Sequence, residues 1–242
     1  MATNAGILII GNEILSGKVQ DANSPYLCRE LRALGVEIKR ISVIPDDVDS
    51  IAEEAAAFST AYDIVITTGG VGPTHDDVTI HGIAKGLGRR VISHPDLERV
   101  LQRLYGERAN RVHLRMAQVP EGADLVGQPD LVFPVVIVKN IYIFPGVPEI
   151  LKQKFEGIKE RFRDTPFFLK RVFVTSGEGS IAEHLDAVMR EYPGLLLGSY
   201  PELHNPEYKV ALTLESKDPA YLDRALSRLI DLLPASAVAK VQ

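Results

Sequence analysis

Residues Thr67 to Thr79 read Thr-Thr-Gly-Gly-Val-Gly-Pro-Thr-His-Asp-Asp-Val-Thr, and they constrain the fold more than any other stretch. The apolar run Asp63-Ile64-Val65-Ile66 precedes them and reads as a buried strand, while Val78 to Leu87 follows with helical character. A strand that breaks at Gly-Gly-x-Gly and re-enters a helix lets backbone N–H groups approach a ligand closely. The new helix N-terminus favours an anion. Asp76 and Asp77 lie just beyond. Two carboxylates repel a bare phosphate, so they imply an intervening metal ion, or contacts to hydroxyl and ring N–H groups.

Other strand ends repeat the theme. Gly6 to Ile10 is an unbroken apolar run, read as a parallel strand, and it ends in Gly11-Asn12-Glu13-Ile14-Leu15-Ser16-Gly17-Lys18. This loop only imitates a P-loop. Five residues separate Gly11 from Gly17 where four are needed, and Val19 stands where Ser or Thr would bind magnesium. Asn12 and Glu13 instead fall at a strand's carboxyl end, where open α/β sheets bind ligands. A helix is expected from Asn23 to Leu34, capped by Asn23 or Ser24, with Pro25 in its first turn and Gly35 as its stop. Val36 to Ile44 alternates as a strand and ends at Pro45-Asp46-Asp47; Asp47 reads equally as the N-cap of a helix from Val48 to Phe58. Three strand–helix units in succession argue for a parallel sheet with helices on both faces. Glu13, Asp46 and Asp76/Asp77 would then share one acidic rim, although some of these acids also suit helix caps.

Further on, Pro95 to Tyr105 reads as a helix. Arg108, Arg111 and Arg115, with His113 among them, form either a solvated face or a source of one arginine for the rim. Phe133 to Phe144 reads as a hairpin closed at Lys139-Asn140, where Asn tolerates a left-handed turn. Its second strand ends at Pro145-Gly146-Val147-Pro148-Glu149, with Pro148 starting a helix to about Phe162. Composition shifts at Arg163-Asp164-Thr165-Pro166, which divides the chain into domains 1–166 and 167–242. In the second, strands at Arg171–Thr175, Leu195–Leu197 and Tyr208–Leu214 and helices at Ser180–Arg190 and Pro219–Leu233 indicate a small α+β domain. The Glu183-His184 pair reads as exposed surface and not as a metal site.

A net charge of −5 argues against nucleic-acid and membrane-surface partners. Cys28 is the single cysteine, which excludes an internal disulfide framework and a Cys-rich zinc site. No apolar run approaches ~18 residues and no signal-like segment opens the chain, so a soluble cytoplasmic protein is expected.

Several separated motifs carry a family resemblance that spans nearly the whole chain. Thr68-Gly69-Gly70-Val71-Gly72-Pro73-Thr74, continued by Asp77-Val78-Thr79, resembles the signature of the MoaB/Mog molybdopterin-binding superfamily. Gly11-Asn12-Glu13-Ile14-Leu15-Ser16-Gly17, Asn23-Ser24 and Pro145-Gly146-Val147-Pro148-Glu149 resemble its CinA-like branch. The stretch from Arg171 to Leu214, with Gly198-Ser199-Tyr200-Pro201 and Tyr208-Lys209-Val210, looks like that branch's second domain. Gly69 to Thr79 and Phe133 to Val136 are most similar to the molybdopterin-binding-like N-terminal region of eukaryotic FAD synthases. CinA proteins carry Asn-Pro-x-Gly-x-Ala-Pro-Gly where this chain has Gln128 to Pro134, so a different pocket lid is expected. Neither a nicotinamide-nucleotide amidase domain nor an FAD synthase catalytic domain is present in the sequence, so deamidation and adenylyl transfer to FMN are not expected.

The resemblance implies an α/β fold with a doubly wound, mostly parallel sheet, and a pocket for a pterin or an adenine nucleotide with its pyrophosphate. It implies a metal-dependent pyrophosphatase acting on a dinucleotide or nucleoside-diphosphate sugar of the FAD or ADP-ribose type. Gly69, Gly70 and Gly72 would supply N–H donors, with Thr68, Pro73, Thr74, Gly11, Asn12, Gly146 and Pro148 completing the ligand site. Asp77, with Asp46 or Glu13, would hold Mg, Mn or Co, with potassium as a further ion, and one of these acids would serve as general base. The alternatives are a molybdopterin-binding or adenylylating protein of molybdenum cofactor assembly, and a non-catalytic nucleotide-binding module. The resemblance also suggests a homo-oligomer, dimer or trimer.

Overall fold

The apolar runs become the strands of a central sheet. In the computed structural model, residues 3–108, 110–127 and 133–242 are described, and the chain divides into two units, Met1–Asp164 and Thr165–Gln242. The first unit runs β1 (Asn4–Ile10), α1 (Asn12–Leu15), α2 (Asn23–Ala33), β2 (Glu37–Ile44), α3 (Val48–Ala61), β3 (Ile64–Thr68) and α4 (Thr79–Gly86). It continues with β4 (Val91–Ser93), α5 (Pro95–Tyr105), α6 (Arg111–Leu114), β5 (Gln118–Pro120), β6 (Asp124–Val126), β7 (Val135–Val138), β8 (Ile141–Phe144) and α7 (Pro148–Ile158).

Six strands pair in the order β2-β1-β3-β8-β7-β6. The β2-β1, β1-β3 and β3-β8 pairs are parallel; β7 and β6 add on antiparallel. Strands covered on both faces are largely apolar, which is why Ala5 to Ile10 of β1 and Ile64 to Ile66 of β3 read as unbroken runs. Ile7 and Ile66 pack on one face with Leu27, Leu31 and Phe155. Leu8 and Val65 pack on the other with Phe58, Ile83 and Leu101. This is the doubly wound, mostly parallel α/β architecture that the strand–helix alternation predicts. Because β1, β2, β3 and β8 run the same way, their carboxyl ends, and the loops that leave them, lie along one rim.

The hairpin β7–β8 departs from expectation in its turn. Lys139, not Asn140, takes the left-handed conformation, at φ 53°. Asn140 is held otherwise: its side-chain NH2 donates to the Ser59 and Tyr62 carbonyls, at 3.1 and 2.7 Å, and its Oδ1 accepts from the Ser59 hydroxyl. It therefore ties the hairpin to the end of α3. The short strands β4, β5 and β6 carry too few residues to show periodicity and were not foreseen. The expected lid difference falls on Gln128 to Val132, which lie outside the described residues.

The second unit comprises β9 (Phe168–Val174), α8 (Glu178–Glu191), β10 (Leu196–Pro201), β11 (Val210–Ser216), α9 (Pro219–Leu232) and β12 (Val238–Val241). Its antiparallel sheet has the order β10-β11-β9-β12. Val210, Leu212 and Leu214 alternate inward against Ile181, Val188, Leu222 and Leu229 of the two helices. The final strand, β12, was not expected; it exists because the outer edge of β9 pairs with it, Val238 opposite Val174. Among the described residues no helix is long and apolar enough to cross a membrane.

Candidate functional site

The glycine loop lies where three strand ends crowd together. Gly69 leaves β3 at φ 104°. A Cβ there would collide with the Ile10 carbonyl at the end of β1. Across the sheet, a Cβ on Gly146 would stand 3.3 Å from Gly69 Cα, and the Gly69 N–H donates to the Phe144 carbonyl at 3.2 Å. Only glycine fits between β1 and β8. Gly70 follows at φ 61°, against Thr79. Thr79 is fully buried and opens α4 by folding back: its hydroxyl donates to the Gly69 carbonyl at 2.9 Å and its N–H to the Gly70 carbonyl at 3.1 Å.

Asp77 is the strut of this loop. Its carboxylate accepts from the Gly72 N–H at 2.7 Å, the Thr74 N–H at 2.8 Å and the Thr74 hydroxyl at 2.5 Å. That hydroxyl also lies 2.6 Å from Asp76 Oδ1, and it is the main cause of the lowered Asp76 pKa. The sequence reading gave Gly69, Gly70 and Gly72 as anion donors. Two of those N–H groups are taken internally, Gly69's by Phe144 and Gly72's by Asp77. Among the described residues, the N–H groups of Gly70 and Val71 have no partner.

The adjacent pair Asp46-Asp47 splits its roles. Asp47 caps α3, accepting from the Ser50 N–H at 2.8 Å and the Ser50 hydroxyl at 2.9 Å, and these bonds lower its pKa. Asp46 faces the rim. Its Oδ2 accepts the Asn12 N–H at 2.8 Å, and its Oδ1 lies 3.3 Å from the position a Gly70 Cβ would occupy. Asp46 therefore ties its own loop to the start of α1 and stands beside the glycine loop, with Oδ1 free of protein hydrogen bonds among the described residues. Glu13, exposed on α1, folds its carboxylate over Gly11, 2.6 Å from where a Cβ would be. Pro148 opens α7, with Glu149 exposed in its first turn. Among the described residues, no three carboxylate, imidazole or thiol groups gather as a metal cluster. Nor does an ion pair among them join Arg108, Arg111 or Arg115 to the rim acids. His113 accepts the Asn110 N–H at 3.3 Å and stacks on Tyr105, 4.0 Å between ring centroids.

Beneath the loop lies a cavity of about 30 Å³ whose walls include Glu13, Asp21, Asn23, Thr68, Gly69 and Gly146. Asp21, not Asn23 or Ser24, is the acceptor at the start of α2: it takes the N–H groups of Asn23 at 2.9 Å and Ser24 at 3.1 Å, and the Ser24 hydroxyl. That leaves the Asn23 side chain free to point elsewhere. Only 7% exposed, its Nδ2 donates to Thr68 Oγ1 at 3.0 Å and to the Gly146 carbonyl at 2.8 Å. Its Oδ1 is buried without a partner among the described residues. Asp21, Asn23 and Thr79 are the site residues that sequence reasoning missed. The Asp-x-Asn-Ser spacing was visible, but a short polar residue at a helix start reads first as a cap.

Residues 6–164 match the family described as probable molybdopterin binding domain, and residues 166–242 match the FAD synthase middle domain. A protein of Archaeoglobus fulgidus is 36% identical over 94% of this chain and 96% of its own length. A probable FAD synthase of Caenorhabditis elegans is 31% identical over 97% of this chain, which spans 50% of that relative. The solved structure of a CinA protein of unknown function from Thermoplasma acidophilum aligns with a TM-score of 0.62 and 27% identity, over 67% of this chain and 100% of the other.

Proposed function

The chain belongs to the family described as probable molybdopterin binding domain, and from that premise we propose that its rim is the active site of a metal-dependent pyrophosphatase. The substrate is a dinucleotide of the FAD or ADP-ribose type, cleaved to two monophosphates. The observation that carries this reading is the pairing of opposite chemistries on neighbouring loops of one rim. Among the described residues, the open N–H groups of Gly70 and Val71 suit a pyrophosphate, and the unpartnered Asp46 Oδ1 beside Gly70 suits a cation. Likeness to FAD synthases in both units supports a nucleotide as the ligand.

The donor set fits a hard divalent ion such as Mg, Mn or Co, because it consists of carboxylate oxygens. Asp46 would hold it through Oδ1, with Asp77 contributing the lone pairs its loop bonds leave over. When bound, such an ion would offset phosphate charge and lower the pKa of a water molecule. The protein's own part is to fix the substrate. Gly70 and Val71 donate to the pyrophosphate oxygens, the first turn of α4 adds its positive end, and Glu13 stands as the general base that receives the water's proton. A potassium ion and assembly into a dimer or trimer belong to the same proposal.

The test is to incubate the protein with FAD or ADP-ribose and Mg, Mn or Co, with and without potassium, and to measure AMP release. Turnover that disappears in Asp46→Asn supports the reading; that variant keeps the side chain's shape. The family description favours one second reading, in which the same loop holds a molybdopterin without hydrolysis. Tight pterin binding with no turnover of any dinucleotide would replace the first reading by the second.

A further inference from the structure

We propose that Asn23 reads one hydrogen-bond donor of the ligand, a sugar hydroxyl or a heterocycle amine, at the floor of this pocket. The inference rests on the pocket being a nucleotide site. It begins with how the carboxamide is fixed. The Gly146 carbonyl can only accept, so the side-chain NH2 of Asn23 must face it. The Thr68 hydroxyl donates to the Pro145 carbonyl at 2.9 Å and so accepts from the same NH2. Both donors of Asn23 are spent in clamping the end of β3 to the loop after β8. Oδ1 is left buried with no donor.

A buried carbonyl oxygen without a partner is unfavourable and uncommon. The described residues hold two other orphaned side-chain atoms, Thr67 Oγ1 and Glu54 Oε2. Neither of those residues borders the cavity; Asn23 does. The cavity's volume of about 30 Å³ is that of a single small polar group. Its wall chemistry selects which one. Asp21 also borders it, beside Asn23, so this end is rich in acceptors. It disfavours phosphoryl oxygens and favours an O–H or N–H. The donors that suit phosphate, at Gly70 and Val71, are not part of this wall; they belong to the loop that continues from Gly69.

Calorimetric titration with AMP, 2′-deoxy-AMP, 3′-deoxy-AMP and the analogue lacking the 6-amino group tests this directly. The wild type should bind one of these analogues roughly tenfold more weakly than AMP, the value of one hydrogen bond. Asn23→Leu should bind AMP more weakly and lose its discrimination against that same analogue. Thr68→Val, which loosens the clamp but keeps Oδ1, should retain the discrimination, and a purely structural role for Asn23 would not separate the two variants. Asn23→Ser serves in place of Asn23→Leu if the latter does not fold. A wild type indifferent to all three deletions, or an Asn23→Leu protein that still discriminates, overturns the inference while leaving the nucleotide site standing. AMP binding with discrimination but no hydrolysis of FAD or ADP-ribose sinks the pyrophosphatase reading alone. Failure of the wild type to bind AMP, FAD and ADP-ribose removes both.

Discussion

The two units bury their sheets in different ways, and the difference explains where chemistry collects. In the first unit β1 and β3 are covered on both faces, so along their length their side chains are buried in the core, and only residues at their ends, such as Thr68, border the cavity. Polar groups appear instead where the strands stop, and parallel running gathers those stops into one rim: Glu13 after β1, Asp46 after β2, Asp77 after β3 and Gly146 after β8. In the second unit the strands alternate direction. β11 runs buried, half-buried, buried along its length, with helices on one face, and its strand ends are shared between opposite edges. A buried parallel sheet concentrates function at an edge, whereas the antiparallel one spreads its polar residues over a surface.

The sharpest way to break this comparison is to attack the rim without touching the core. Asp46→Asn is expected to lower dinucleotide turnover on the order of a thousandfold, about 4 kcal/mol, with thermal unfolding unchanged; a variant that keeps wild-type rates would show that the rim is not catalytic. Crowding is the next contrast. Gly69→Ala should destabilise the first unit by about 3 kcal/mol, because both its φ and the Ile10 carbonyl oppose a side chain. Gly177→Ala in the second unit, at φ −73° with nothing near, should cost no more than about 1 kcal/mol, the value of a helix N-cap, and denaturant midpoints compare the two. Leu212→Ala, which empties a fully buried site in the second unit, should cost about 3 kcal/mol there yet leave ligand affinity at the rim intact.

A smaller effect concerns Lys154, buried on α7, whose ammonium donates to the carbonyls of Phe133 at 2.6 Å and Pro134 at 2.9 Å. Burial pushes its pKa down to about 8. The folded state therefore binds fewer protons than the unfolded one between that value and the ordinary lysine range, so stability should rise with pH there. Between pH 8 and 10 the gain should be about 2 kcal/mol, and it should vanish in Lys154→Met; parallel unfolding curves for the two proteins would refute it. The smallest expected change is Asp47→Ala. Loss of the Ser50 cap should cost about 1 kcal/mol, while turnover stays near wild type, since the neighbouring Asp46 serves the rim.

Much of the fold was legible because it rests on periodicity. The runs Gly6–Ile10 and Ile64–Ile66 carry no polar side chain, as suits strands covered on both faces. Pro95 and Pro148 begin helices, where a missing N–H does no harm. Elements of three or four residues, β4, β5, β6 and β12, left no such trace; each is a strand only because a partner lies beside it. At the site, the sequence located Gly69 to Asp77 and the acids at the strand ends. It left Asp47 open between a helix cap and a strand-end acid, and the structure makes it the cap of α3. It did not show that both Asp77 oxygens accept hydrogen bonds from the loop itself, and it took Asn23 for a cap because the Asp21 carboxylate was not yet known to do that work.

By itself, then, the sequence determined the class of the fold, the place of the glycine break and the presence of acid at each strand end, since these follow from residue type and spacing along the chain. Only the tertiary structure decided which N–H groups stay open, which carboxylate oxygens remain without a donor, and that Asn23 reaches across to Thr68 and Gly146. Those outcomes depend on competition for hydrogen bonds between residues as far apart as Asn23 and Gly146, and that competition is settled only when the strands are laid side by side.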